Sequence, residues 1–269
     1  MDDEEYQRLE HQRDLERIAG FRLLDDDFMS VVFQDEPACT STLLRVIMSQ
    51  PDIVVRQVIG QHALKNLQRH SICLDIHAYT AEREYDIEIQ RANKGATARR
   101  ARYHSSLMDA HDLREGQDFD ELPDTCVIFI TENDVLDEGK PIYKIERRII
   151  GSNRPFNDGA TIIYVNSTIQ DNTPLGRLMH DFHCTEPDDM FYPELAAQAR
   201  YFKKTDEGVK TMCKAMEDMR NETEKRTKTK IIIEMLKENL PASQIARITK
   251  LSMDYIREVA QTHNIPVTE

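Results

Sequence analysis

Six residues, Tyr85–Gln90 (YDIEIQ), constrain this chain more than any others of similar length. Polar and β-branched residues alternate there, so Asp86, Glu88 and Gln90 share one strand face while Ile87 and Ile89 take the other. A strand has a side-chain period of two, which sets like-facing groups about 7 Å apart. A second β-type run, Ile72–Tyr79, precedes it across a charged turn at Ala81–Glu84. Folded as a hairpin, the two runs bring Asp75 beside the acidic face.

An acid, a turn and then acid-any-Gln on a strand suits a divalent cation. Magnesium takes oxygen ligands in near-octahedral geometry, usually one or two carboxylates with water and phosphate. A cation so held polarises a phosphodiester and lowers the pKa of bound water. On this reading Asp75 and Glu88 are the metal carboxylates, the backbone carbonyl of Ile89 adds a ligand, and magnesium (or manganese) is the cofactor. Gln90 stands where such sites usually carry lysine. An amide orients water but holds no charge, so transition-state stabilisation leans on the metal and nearby arginines. Residue pattern alone also fits a plain alternative, the solvated face of a half-exposed sheet.

LDIHAYTAEREYDIEIQ followed by RANKGATARRARYHSSLMDA resembles the PD-(D/E)XK nuclease superfamily. Within it the chain resembles the recombination-promoting nuclease and nuclease-family transposase branch, in which the final lysine is often Gln. DDDFMSVVFQDE, LPDTCVIFITENDVLDEGKPIYKIER and PLGRLMHDFHCTEPDDM extend the resemblance from about Leu24 to Lys204. It implies an α/β, restriction-endonuclease-like core, a mixed central sheet flanked by helices, with a helical C-terminal extension. It also implies DNA as substrate and a link to mobile elements or recombination, with Asp75, Glu88 and Gln90 as catalytic residues. Such folds often add an acid from the first helix, here Glu36 or Asp27. As a plain alternative, Asp27 caps a helix.

The 269 residues are long enough for a sizeable core, with 40% hydrophobic and 31% charged. No apolar run approaches the roughly 18 residues that cross a bilayer, and MDDEEYQRLEHQRDLER lacks the apolar core of a secretory signal. The expectation is a cytoplasmic protein without membrane contact. Five scattered cysteines with no CxxC point to reduced thiols. A formal net charge of −13 argues against a simple nucleic-acid coat, although a metal and local arginines can set the field in one cleft.

Along the chain, residues 1–23 read as a polar arm and 24–202 as the nuclease-like domain. Asp25–Asp27 offers N-cap oxygens to a helix from Phe28, Pro37 interrupts, and Thr40–Gln50 resumes. Val54–Leu67 reads as a strand and connection, its KNL preceding the hairpin. Ala96–His111 reads as a helix on which Arg99, Arg102 and Tyr103 fall within about one turn, able to meet phosphate or to form a solvated basic face. Cys126–Thr131, Ile142–Arg147 and Thr161–Val165 are strands. His180, His183 and Cys184 tempt a zinc reading but lack a fourth ligand; a docking helix end with Met179 and Phe182 in the core fits better.

Residues 203–230 are a charged helical linker. The tail, 231–269, resembles a helix-turn-helix: Pro241 stops one helix, Ala242–Ile248 is a second, and Ser252 caps a third reaching about Gln261. Lys250 departs from the glycine frequent in that turn, and Asp254 and Glu258 are poor companions for phosphate. The main expectation is a metal-dependent DNA endonuclease. Cutting two strands favours a homodimer. The alternative is an inactive DNA-binding or protein-interaction module using the C-terminal helices; RNA as substrate is not separable by sequence.

Overall fold

The alternating strand lies in the middle of a six-stranded sheet. In the computed structural model residues 3–65 and 71–268 are described. The strands are β1 (Gln57–Leu64), β2 (Ile72–Tyr79), β3 (Arg83–Gln90), β4 (Asp124–Thr131), β5 (Ile142–Ile145) and β6 (Ala160–Asn166). Their spatial order is β1-β2-β3-β4-β6-β5. β1, β2 and β3 form an antiparallel meander, β3–β4 and β4–β6 are parallel, and β5 returns antiparallel on β6. Parallel neighbours need a crossover, supplied between β3 and β4 by helix α4 (Ala98–Asp112).

β4 (DTCVIFIT) shows why it is central: every residue after Asp124 is buried, as expected of a strand covered on both faces. Val127 and Phe129 pack with Leu74, Tyr164 and the α4 residues Ala101, Leu107 and Met108. Ile128 and Ile130, wholly buried, alternate to the opposite face. Helices α1 (Asp3–Gly20), α2 (Asp26–Phe33), α3 (Pro37–Met48), α5 (Pro174–His183) and α6 (Pro193–Lys204) complete the layer architecture. Phe33 of α2 meets Phe182 of α5 at 6.3 Å between ring centres, and Met179 and Phe182 are fully buried, as the docking-helix reading expects. Lys203 donates to the carbonyls of Ala19 (3.1 Å), Phe21 (2.5 Å) and Thr185 (2.5 Å), tying the end of α1 to the loop after α5.

Pro37 opens α3 rather than interrupting a helix, because a residue in the first turn needs no N–H partner. β1 occupies part of the 54–67 stretch, while Asn66 and Leu67 of the KNL lie outside the described residues. Helix α7 (Asp206–Lys237) is continuous through the expected boundary at 230–231, and the chain divides into compact units Met1–Met212 and Cys213–Glu269.

In the second unit, α8 (Ala242–Thr249) and α9 (Met253–Thr262) share a core of Ile232, Leu236, Ile245, Ile256 and Ala260. Ser252 caps α9 by accepting the Tyr255 N–H at 3.2 Å. Lys250 takes the left-handed conformation (φ 56°) that glycine adopts without strain. No helix among the described residues is long and apolar enough to cross a membrane.

Candidate active site

The site forms where the β2–β3 ladder opens. Pairing runs from Tyr79↔Glu84 to Ile76↔Ile87 and stops before Asp75 and Glu88. On the other side of β2, Gly60 pairs with Ile76 and His62 with Leu74, but Gln61 sits in a left-handed conformation (φ 49°) between them. Backbone groups released there take carboxylates as partners. The Asp75 N–H donates to Glu88 Oε1 (3.1 Å), and the Ile89 N–H donates to Asp75 Oδ2 (3.1 Å). The two acids therefore clasp each other's strands. The expected hairpin does bring Asp75 beside Glu88.

The acidic face is not solvated. Asp86 and Glu88 are 0% exposed and His104 1%, so the half-exposed-sheet alternative does not describe it. Burial raises the Asp75 carboxyl to about 7, helped by the neighbouring Glu88 charge. Burial, then Asp86, raises Glu88 to about 8. Asp86 is pushed well up by burial and by Asp75.

Helix α4 supplies the counter-groups. It runs antiparallel to β3, so its first turns lie over the Glu88 end. Arg100 Nη2 donates to Glu88 Oε2 at 2.6 Å and Nη1 to Gln90 Oε1 at 3.4 Å. Its Nε–H donates to His104 Nε2 at 3.2 Å, which leaves the imidazole proton on Nδ1, 2.7 Å from Asp86 Oδ2. Burial lowers the His104 pKa, in keeping with a neutral ring. Gln90 Nε2 reaches Glu88 Oε2 at 3.4 Å. Gly95 lies so close that a Cβ there would stand 1.7 Å from Gln90 Oε1.

Of the expected phosphate ligands, Arg99 and Arg102 are exposed on α4, and Tyr103 is half-buried against the Phe129 cluster. Arg100, between them, is the arginine that enters the site. Sequence reasoning missed it together with His104, although their i,i+4 spacing puts both on one helix face. The α2 carboxylate whose charge is felt at Asp75 is Asp26, while Asp27 pairs with Arg17 at 3.0 Å. Beyond Gln90, Arg91 bridges Asp25 (3.0 Å) and Glu132 (3.2 Å), and Arg22 bridges the same two acids. A cleft of about 520 Å³ opens there, lined by Arg17, Phe21, Asp25, Asp26, Asp27 and Arg91. His183 meets the Ser167 hydroxyl at 2.9 Å, and the Cys184 thiol donates to the Glu186 carbonyl.

The donor set fits a divalent cation. Asp86, Glu88 and His104 gather ligand-type atoms within 4.8 Å of one another. Both imidazole nitrogens are engaged, so the carboxylates, including Asp86 Oδ1, which is buried with no hydrogen-bond partner, are the donors a cation would use. Crowded carboxyls with raised pKa values in a poorly hydrated site are what a cation would relieve.

A mixed six-stranded sheet flanked by helices, with buried carboxylates where two central strands part, defines a restriction-endonuclease-like PD-(D/E)XK fold with a helical C-terminal part. Residues 39–171 match the model of the family described as PD-(D/E)XK nuclease family transposase, which bears out the resemblance read from the sequence. No curated protein and no solved structure gives a match.

Proposed function

We propose that this chain is a metal-dependent endonuclease that hydrolyses phosphodiester bonds in DNA, in the service of mobile elements or recombination. The observation that carries the reading is the reciprocal clasp of Asp75 and Glu88, with Gln90 one side chain further along the same face. A magnesium or manganese ion bound there would polarise the scissile phosphate and acidify a water. Asp75, Glu88 and the Ile89 carbonyl are the proposed ligands.

The chain's own residues do the rest. Gln90, fixed between Gly95, Arg100 and Glu88, presents an amide that orients the attacking water. Arg99 and Arg102, exposed on the same helix, offer forks to neighbouring phosphates. Cutting both strands calls for a second copy, and the compartment we infer is the cytoplasm.

Plasmid nicking in magnesium, beside EDTA and Glu88→Ala controls, tests this directly. Cutting lost in both controls supports the nuclease. Intact DNA with magnesium and manganese, on duplex and single strands alike, refutes it. The folded α8–α9 pair with its capped turn then favours the second reading, a non-catalytic DNA-binding or protein-interaction module.

A further inference from the structure

A lysine following the motif glutamate would place an ammonium beside Glu88, where the Gln90 amide now lies 3.4 Å from Glu88 Oε2. Gln90 carries no charge. The Arg100 guanidinium, arriving from α4, touches both Glu88 and Gln90. We propose that Arg100 supplies the positive charge that position 90 lacks, and that Asp86 and His104 are positioning residues that aim it. This inference rests on the nuclease reading.

Three features carry it. The guanidinium is clamped by its Nε edge, which donates to His104 Nε2, so both Nη groups face the Glu88–Gln90 end. His104 is in turn fixed in one tautomer by Asp86 Oδ2 at 2.7 Å, and both are buried from competing water. Finally, the Arg100 side chain keeps 37% of its surface exposed, so the charge is anchored at its base and open where a phosphate arrives. A carboxylate holding a histidine that holds an arginine builds a fixed cation on a flexible stem. Such pre-organisation is what transition-state stabilisation needs.

The reaction is otherwise the ordinary hydrolysis. Water adds to phosphorus, the P–O bond to the leaving alkoxide breaks, and the proton released by water is balanced by one taken up at the leaving oxygen. Charge grows on the non-bridging oxygens, which two Nη donors match in geometry. Gln90 keeps the task of orienting water.

The test is single-turnover and steady-state cleavage of a duplex in magnesium by wild type, Arg100→Ala, Arg100→Gln, and each combined with Gln90→Lys, all checked for folding by circular dichroism. Loss of one such donor should lower kcat by about 10²–10³-fold. Arg100→Gln, which keeps the polar packing, should lose as much as Arg100→Ala. Adding Gln90→Lys to either should restore at least about tenfold. His104→Ala should lower kcat at constant KM in the wild-type background and add nothing once Arg100 is gone, whereas a merely structural histidine would still weaken the double variant. Arg100→Ala cutting at the wild-type rate, or folded double variants that Gln90→Lys does not rescue, would overturn the inference alone. Wild type that leaves DNA intact overturns the nuclease reading and this inference with it.

Discussion

The pair β2–β3 buries two carboxylate clusters under one helix, and they are built differently. At the Glu88 end, Asp75, Asp86 and Glu88 meet a guanidinium, a neutral histidine and three backbone or side-chain N–H donors. At the other end, four residues along β3, Glu84 contacts His77 and lies beside Asp112 at the end of α4. His77 stacks on His62 and meets the Tyr79 ring at a tilt. No Lys or Arg side chain bridges Glu84 or Asp112 among the described ion pairs; the two carboxyls face each other. Burial lowers His77 to about 4, and burial together with Glu84 raises Asp112 to about 7. One cluster is compensated by a cation and open to more positive charge. Acids in both clusters have raised pKa values, but the Glu84–Asp112 pair has no guanidinium beside it among the described residues. Burial of acids is common to both clusters; the groups that oppose the acids are what differ.

The sharpest way to break this contrast is to exchange the variants. Glu88→Ala should abolish magnesium-dependent cutting, a loss of about 10³-fold or more, and erase the rise in Tm that millimolar magnesium or manganese gives the wild type. Glu84→Gln should keep both the cutting and the cation-induced Tm rise. Equal behaviour of the two proteins in a melt with and without cation would dissolve the distinction.

A smaller effect is expected at Gly95. The methyl of Gly95→Ala must displace the Gln90 amide, the far end of a flexible side chain. Cutting should fall by about 10–100-fold while the urea midpoint hardly moves, since misplacement near 1 Å is costly for rate and cheap for stability. A matched fall in stability would mean that Gly95 serves the fold instead.

The smallest effect concerns pH. Asp75, Glu88 and Asp112 have folded-state pKa values of about 7, 8 and 7, above the ordinary carboxyl range. Their stabilising protons are fully present below about pH 4, and that stability is lost as pH rises through 7 to 8. Urea midpoints should therefore decline from pH 5 to 8.5. Asp112→Asn should remove about 1–2 kcal/mol of that decline, allowing for the partial exposure of the side chain. Divalent cation should offset the remainder in wild type and in Asp112→Asn, but not in Glu88→Ala. A decline that cation fails to touch in wild type would place it in other groups.

Much of the sheet was legible because strand periodicity is a local signal: Ile72–Tyr79, Cys126–Thr131 and Thr161–Val165 all fall in strands. The capped α9 was legible for the same reason, since cap chemistry is written within a few residues, whereas Lys250, a departure from the glycine frequent in that turn, takes the left-handed conformation all the same. The Asp75–Glu88 encounter followed from the hairpin. The basic residues of α4 do not by themselves reveal Arg100 and His104, because the face that enters the site is set by Ala101, Leu107 and Met108 packing on β4. Burial of Asp86 and Glu88 was equally hidden, because α4 covers them from outside the motif. Asp27, one of the two first-helix acids expected beside the site, pairs with Arg17 instead, a tertiary choice that no local pattern shows.

The crossover from β3 to β4 has a consequence for the newborn chain. Arg83 and Asp124, paired at 2.7 Å across that crossover, stand 41 positions apart. A polypeptide leaving the ribosome exposes the whole acid-any-Gln motif well before α4 can dock or β4 can align, because such distant pairings form slowly. Until then its carboxylates are hydrated, ordinarily acidic and without their arginine. A product that stops within α4 would carry Asp75, Glu88 and Gln90 without the β4 strand that pairs with β3.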